Sequence, residues 1–84
     1  MPMNVTAFMI AFDDQYQELI FPVAPQELRA GDLVLLKAGE VVPADCKLLT
    51  GEILVGETVR TPPQVVEKGG LIQSGTAKAY VYAA

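Results

Sequence analysis

Acid–base chemistry in this chain would fall to carboxylates: it carries ten Asp and Glu residues, no His and a single Cys. Cys46 follows Asp45, whose negative charge would raise a thiol pKa, and it has no imidazole to generate a thiolate, so it reads as a small core residue. Asp13-Asp14 could touch a cation, yet two adjacent acids lack the spaced oxygens of a calcium loop and suit a turn better. Glu52, Glu57 and Glu67 are scattered along the chain and read as solvated surface acids; a small hydrolase using Glu57 or Glu67 as base is the weakest functional reading. The glycines at 69, 70 and 75 are not followed by Lys-Ser or Lys-Thr, as a phosphate-cradling loop would require. Without His the usual zinc and haem ligand sets are missing, and neither a metal nor a cofactor is expected. A net charge of −4 with only six Lys and Arg also argues against nucleic acid as a partner.

The elements that would carry these residues are short β-type runs punctuated by Gly, Pro and Asp, with almost no helical periodicity. Val5 to Phe12, the turn Asp13-Asp14-Gln15 and Tyr16 to Phe21 read as a hairpin closed by Pro22 and Pro25. Pro25 to Arg29 suits one helical turn, stopped by Ala30-Gly31-Asp32. Leu33 to Leu36 is a buried strand, Gly39 and Glu40 turn the chain, and Pro43 bars a central ladder position. Asp45 to Glu52 and Ile53 to Val55 read as two strands separated at Thr50-Gly51-Glu52. Leu71 to Gln73 and Ala77 to Tyr82 read as two more, separated at Ser74-Gly75. Arg60 to Pro63 is a loop or an exposed edge. Seven or eight such strands predict a mainly β, distorted sandwich or jelly-roll-like fold with short helical turns only. Val34, Leu36, Val42, Leu48, Leu54, Ile72 and Val81 are its expected buried residues, and Gly75 is expected to sit where a side chain would obstruct.

Eighty-four residues, 51% of them hydrophobic, suffice for one domain over 1–84 and leave little for a deep cleft. The longest charge-free stretch, Met1 to Phe12, is too short to span a bilayer and lacks the charged start and cleavage region of a signal peptide. The chain therefore reads as soluble, and its lone cysteine fits a reducing, cytosol-facing compartment. Met1-Pro2-Met3 looks like an expression start, and the apolar ending Tyr80 to Ala84 suggests a piece excised from something longer.

One stretch is more specific. Ala30-Gly31-Asp32-Leu33-Val34, then Gly39-Glu40-Val41-Val42-Pro43-Ala44-Asp45, then Leu48-Leu49-Thr50-Gly51 strongly resembles the start of the actuator domain of P-type cation-transporting ATPases. That family runs Pro-Gly-Asp, Gly-Asp-x-hydrophobic-Pro-Ala-Asp and Leu-Leu-x-Gly in the same order. Leu54 to Thr58 resembles the family's Val-Asp-Glu-Ser, placing Glu57 and Thr58 in it, and Ser74-Gly75-Thr76 resembles the Ser-Gly-Thr that opens its closing strands. The likeness covers nearly the whole chain.

The resemblance implies an actuator, or transduction, domain that rotates against a phosphorylation domain and passes the motion to membrane helices. Other domains would bind the nucleotide and carry the phosphorylated aspartate, so no direct nucleotide binding is implied here. The family's signature loop, Thr-Gly-Glu-Ser, uses its glutamate to help water attack the aspartyl phosphate. At the matching place this chain has Thr61-Pro62-Pro63-Gln64, and proline, with φ near −65° and no carboxylate, reproduces neither the Gly-Glu turn nor its base. The expectation is an excised or altered actuator domain, inactive by itself, on the cytosolic face of a pump. The alternative is a stand-alone regulatory or interaction module, natural or engineered, with the same fold.

Overall fold

The structure, a computed structural model, describes residues 5–83. The start at Met1-Pro2-Met3 and the last residue, Ala84, lie outside the described residues. Among the described residues seven strands run β1 (Ala7–Phe12), β2 (Glu18–Val23), β3 (Leu33–Lys37), β4 (Asp45–Val55), β5 (Thr58–Arg60), β6 (Val65–Val66) and β7 (Ile72–Ala83), and one 3-10 turn occupies Pro25–Glu27. They form one sheet in the order β2-β1-β3-β7-β4-β5, with β6 also on β4, and every pairing is antiparallel. The fold is mainly β as expected, a sheet bent around its own core into a distorted sandwich.

The opening hairpin forms for the reasons its sequence suggests, with two adjustments. Asp13 Oδ1 accepts the backbone N–H groups of Gln15 at 2.8 Å and Gln17 at 2.9 Å, so its carboxylate ties up the loop. Tyr16 takes φ 60°, a turn conformation, and β2 begins only at Glu18. Pro22 does not close the hairpin but lies inside β2 opposite Phe8. β2 is an edge strand, where a missing amide donor costs no ladder bond.

β4 and β7, 11 and 12 residues long, are the central correction. Thr50-Gly51-Glu52 does not end a strand and Ser74-Gly75 is not a turn; each pair of expected strands is one continuous strand. The glycines serve a close crossing instead. Gly51 lies opposite Ala77 and Gly75 opposite Ile53, with φ values of 88° and 91°. A Cβ on Gly51 would fall 2.8 Å from the Ala77 Cα, and one on Gly75 would collide with the carbonyl oxygen of Glu52. Reading these glycines as breakers mistakes a bent, tightly paired strand for two flat ones.

The bend also shifts the inward phase. Cys46 and Leu48 are buried on even positions, whereas farther along β4 it is Ile53 that is buried; the register slips between Leu48 and Thr50. Leu54, expected in the core, is therefore turned partly outward. The other six expected core residues, Val34, Leu36, Val42, Leu48, Ile72 and Val81, are each at most 1% exposed, and each contributes roughly 1.5–3 kcal/mol through its burial.

Candidate functional site

The residues of the motifs that resemble the family hold the chain path. The Gly31 N–H donates to the Val81 oxygen at 2.6 Å, and the Val81 N–H donates to the Asp32 oxygen at 2.8 Å. Asp32 Oδ2 also accepts the Arg29 N–H at 2.8 Å, so this Gly-Asp pair closes a turn and anchors it to β7. The Gly39 N–H reaches the Ile72 oxygen at 2.8 Å, and Val42 exchanges backbone bonds with Gly69 and Gly70 at 2.9 and 2.8 Å. Pro43 is buried beside that ladder. Asp45 Oδ1 accepts the Lys68 N–H at 2.9 Å across 23 residues, tying the start of β4 to the segment after β6. Ser74, Gly75 and Thr76 lie within β7 opposite Leu54, Ile53 and Glu52.

Thr61-Pro62-Pro63-Gln64 connects β5 to β6 as a closed turn. The Gln64 N–H donates to the Thr61 oxygen at 2.8 Å, and Gln64 Oε1 accepts the Thr61 N–H at 2.9 Å. The Leu48 N–H donates to the Gln64 oxygen at 3.0 Å, which fastens the turn to β4. Pro62, Pro63 and Gln64 are exposed while Thr61 is half-buried, so two prolines, joined by a cis peptide bond, form the tip. Glu57 is not brought to this tip. Gly56 and Glu57 make the two-residue turn between Val55 and Thr58, at the opposite end of β5, about 10 Å away along a three-residue strand. Glu67 follows β6 and is exposed. Glu52, on β4 opposite Thr76, is exposed as well. Among the described residues no group of three His, Cys, Asp or Glu side chains is placed to hold a metal ion.

Nothing in the local sequence marks Arg60, yet the structure sets it beside this turn. It ends β5, pairs with the buried Ile53 and borders a groove with Val65, Lys68 and Tyr82. Only the β4–β5 register, which local patterning does not supply, puts an arginine on the inward side here.

Cys46 is fully buried, and its Sγ donates to the Ala44 oxygen at 3.1 Å. Burial first, and the Asp45 charge second, push its pKa up to about 12, which excludes a thiolate nucleophile near neutral pH. In the unfolded chain the thiol ionises near its ordinary value of 9.0. Between about pH 9 and 12 the native state therefore holds a proton that the unfolded state has lost, and stability falls as pH rises. Below that window the thiol contributes no slope. Cys46→Ala is expected to remove up to about 1.4 kcal/mol per pH unit of this alkaline loss, read as the difference between the two proteins' urea midpoints across pH 8 to 11. Parallel curves would show that the thiol is not the group responsible.

A profile of the P-type ATPase actuator domain matches residues 3–84. The chain belongs to the P-type ATPase actuator domain family. It is 41% identical over 59 residues to the potassium-transporting ATPase ATP-binding subunit of Erwinia tasmaniensis, an overlap of 67% of this chain and 9% of that protein. Over 67 residues it is 37% identical to the protein of the same name from Ralstonia nicotianae, covering 76% of this chain and 9% of that one. Among solved structures, a zinc-transporting PIB-type ATPase in its E2.Pi state superposes with a TM-score of 0.72 at 25% identity, over 93% of this chain and 14% of the other. The E2P state of a zinc-transporting PIB-type ATPase gives 0.72 at 26% identity, over 96% and 14%. The actuator domain thus spans about a tenth of the length of the relatives it matches.

Proposed function

We propose that residues 1–84 form a single actuator domain that works inside a cation-transporting P-type pump, coupling turnover of an aspartyl phosphate to ion movement by rotating as a body, and that the domain does not itself catalyse loss of the phosphate. The family membership and the potassium- and zinc-transporting relatives support the first part. Among the described residues no helix is long and apolar enough to cross a membrane, which fits a domain that acts on membrane helices from their cytosolic side. Its partners would be the phosphorylation and nucleotide-binding domains and those helices, with the nucleotide held elsewhere.

The second part rests on one observation: the exposed turn Thr61–Gln64 is closed on itself by Gln64 and presents proline where the family carries its glutamate. Proline can neither orient nor deprotonate water. Glu57, Thr58, Gly31, Asp32, Gly39, Pro43, Asp45, Ser74, Gly75 and Thr76 are then scaffold positions in this reading, and no residue of the chain is assigned catalysis. The test mixes the chain with a phosphorylated phosphorylation domain of a related pump and follows the acid-stable phosphate over time. Its half-life is expected to be the same with and without the chain, and no nucleotide hydrolysis is expected from the chain alone. A shortened half-life would overturn the non-catalytic assignment.

A further inference from the structure

β2 ends the sheet, and its backbone groups alternate in direction. The Asp13 N–H donates to the Gln17 oxygen at 3.0 Å, and from there the register runs unbroken to Ala7 opposite Val23. Bonded and non-bonded pairs alternate in an antiparallel ladder, so Leu19, Phe21 and Val23 bond to β1 while Glu18, Ile20 and Pro22 turn their backbone groups outward. Among the described residues no backbone group bonds to this outward row. Pro22, without an N–H, removes one donor from the edge. The N–H groups of Glu18 and Ile20 and all three carbonyls stay open.

The side chains along the same edge are apolar on both faces. Leu19 and Phe21, on one face, are 48% and 39% exposed, and Ile20, on the other, is 47% exposed. A bilayer is a poor cover for such an edge, because hydrocarbon offers the outward N–H groups no acceptor and would meet the acids Asp13 and Asp14 of the adjoining turn. Another strand supplies both acceptors and apolar contact, and β2 is complementary to itself.

Three antiparallel registers set two outward rows face to face. Centred on Ile20, the pairing bonds Ile20 twice to the partner's Ile20, carries the Glu18 N–H to the carbonyl of the partner's Pro22, and lays Leu19 against the partner's Phe21. Glu18 brings its own counter-ion, Lys78, so opposite a proline its charge is still matched. Centring on Leu19 also forms four bonds, but it sets Glu18 against the partner's Ile20 and Gln17 against the partner's Phe21. Centring on Phe21 faces Ile20 with the partner's Pro22, which forfeits a donor at each central pair. The first register alone keeps apolar residues against apolar ones on both faces. The exposed parts of Tyr16, Leu19, Ile20 and Phe21 and of the polar residues between them come to on the order of 500 Å² a copy, hence about 1,000 Å² for a pair, where specific interfaces begin.

We propose that a second copy of this chain docks on β2, the two edges pairing antiparallel about a two-fold axis at Ile20 and joining two sheets into one. The pairing uses the same edge of both copies, so it closes at a dimer. It does not depend on the function proposed above.

The experiment measures the sedimentation of the full chain from about 1 µM to 1 mM, the range of modest affinities, and amide hydrogen exchange at both ends of that range. A monomer–dimer equilibrium is expected, with no larger species. Exchange at Glu18 and Ile20 should slow as concentration rises, while Leu19 and Phe21, already bonded to β1, should change little. Ile20→Lys, which sets two cations against each other at the axis, should raise the dimer Kd at least about tenfold. Ile20→Pro should do the same by deleting only an outward donor, and it keeps the test alive if the lysine variant fails to fold. Val59→Lys, at an apolar residue 53% exposed on β5 at the other end of the sheet, should leave the Kd unchanged. A chain that stays monomeric throughout would overturn the proposal, whether or not phosphatidylcholine vesicles or an unrelated apolar strand peptide capture it. So would a dimer that withstands both Ile20 variants, one that Val59→Lys disperses, or one that leaves exchange at Ile20 unchanged.

Discussion

Gly75→Val is expected to abolish stable folding of the domain. The residue takes φ 91°, where an L side chain is strained by about 1–3 kcal/mol. Its Cβ would also overlap the Glu52 carbonyl and sit 3.1 Å from the Ile53 Cα, and these are backbone atoms of a central strand that cannot swing aside. Relief would require β4 and β7 to separate where both are bent, breaking ladder bonds that also hold the buried Ile53. An 84-residue chain has on the order of 4–12 kcal/mol of stability in total, so strain plus a parted ladder consumes most of it. Gly39→Ala isolates the conformational part. Gly39 has φ 89° but nothing within 4 Å of its would-be Cβ, so its replacement should cost only about 1 kcal/mol and lower Tm by roughly 4–8 °C. The comparison is made by thermal melting of the two variants beside the parent chain. Equal melting points for Gly75→Val and the parent would contradict the close crossing of β4 and β7.

The same crossing explains what could and could not be read from the amino-acid order. The hairpin, the Pro25 turn, the Gly31-Asp32 turn and six of seven core residues follow from local alternation and turn chemistry, because in each of these a residue's neighbours in sequence determine its surroundings. Leu54 and the continuity of β4 and β7 do not, because they depend on a register slip between the pairs Leu48–Ala79 and Thr50–Lys78, far apart in sequence. A glycine that lets two backbones approach and one that lets a chain turn look alike until the partner strand is known. The site divides in the same way. The proposed alteration at Thr61–Gln64 is read from motif, through the resemblance of the residues on both sides of it to the family. Arg60 is not, since only its pairing with Ile53 turns it inward.

Restoring Thr-Gly-Glu-Ser at positions 61 to 64, inside a complete pump carrying this domain, is expected to speed decay of the aspartyl phosphate by about 10²–10⁴-fold, the usual contribution of a positioned general base. The three changes are Pro62→Gly, Pro63→Glu and Gln64→Ser. The turn is exposed at 62 to 64, and the bond from the Leu48 N–H to the residue 64 oxygen uses backbone alone, so the fastening to β4 survives. What is lost is the Gln64 side-chain bond to the Thr61 N–H, worth about 1 kcal/mol, which loosens the turn without unfolding the sheet. Flexibility and chemistry are separated by a second version with Pro62→Gly, Pro63→Gln and Gln64→Ser, equal in shape but without a carboxylate. Phosphoenzyme formed from radiolabelled ATP is chased with unlabelled nucleotide, and its decay is timed in all three pumps. The parent and the glutamine version should decay slowly and alike, and only the glutamate version quickly. In that version alone the rate should fall as pH is lowered through the carboxylate's pKa, because the protonated acid cannot accept a proton from water. Fast decay in the parent pump, unchanged by restoration, would mean that the turn with two prolines is already competent and that its carboxylate comes from elsewhere.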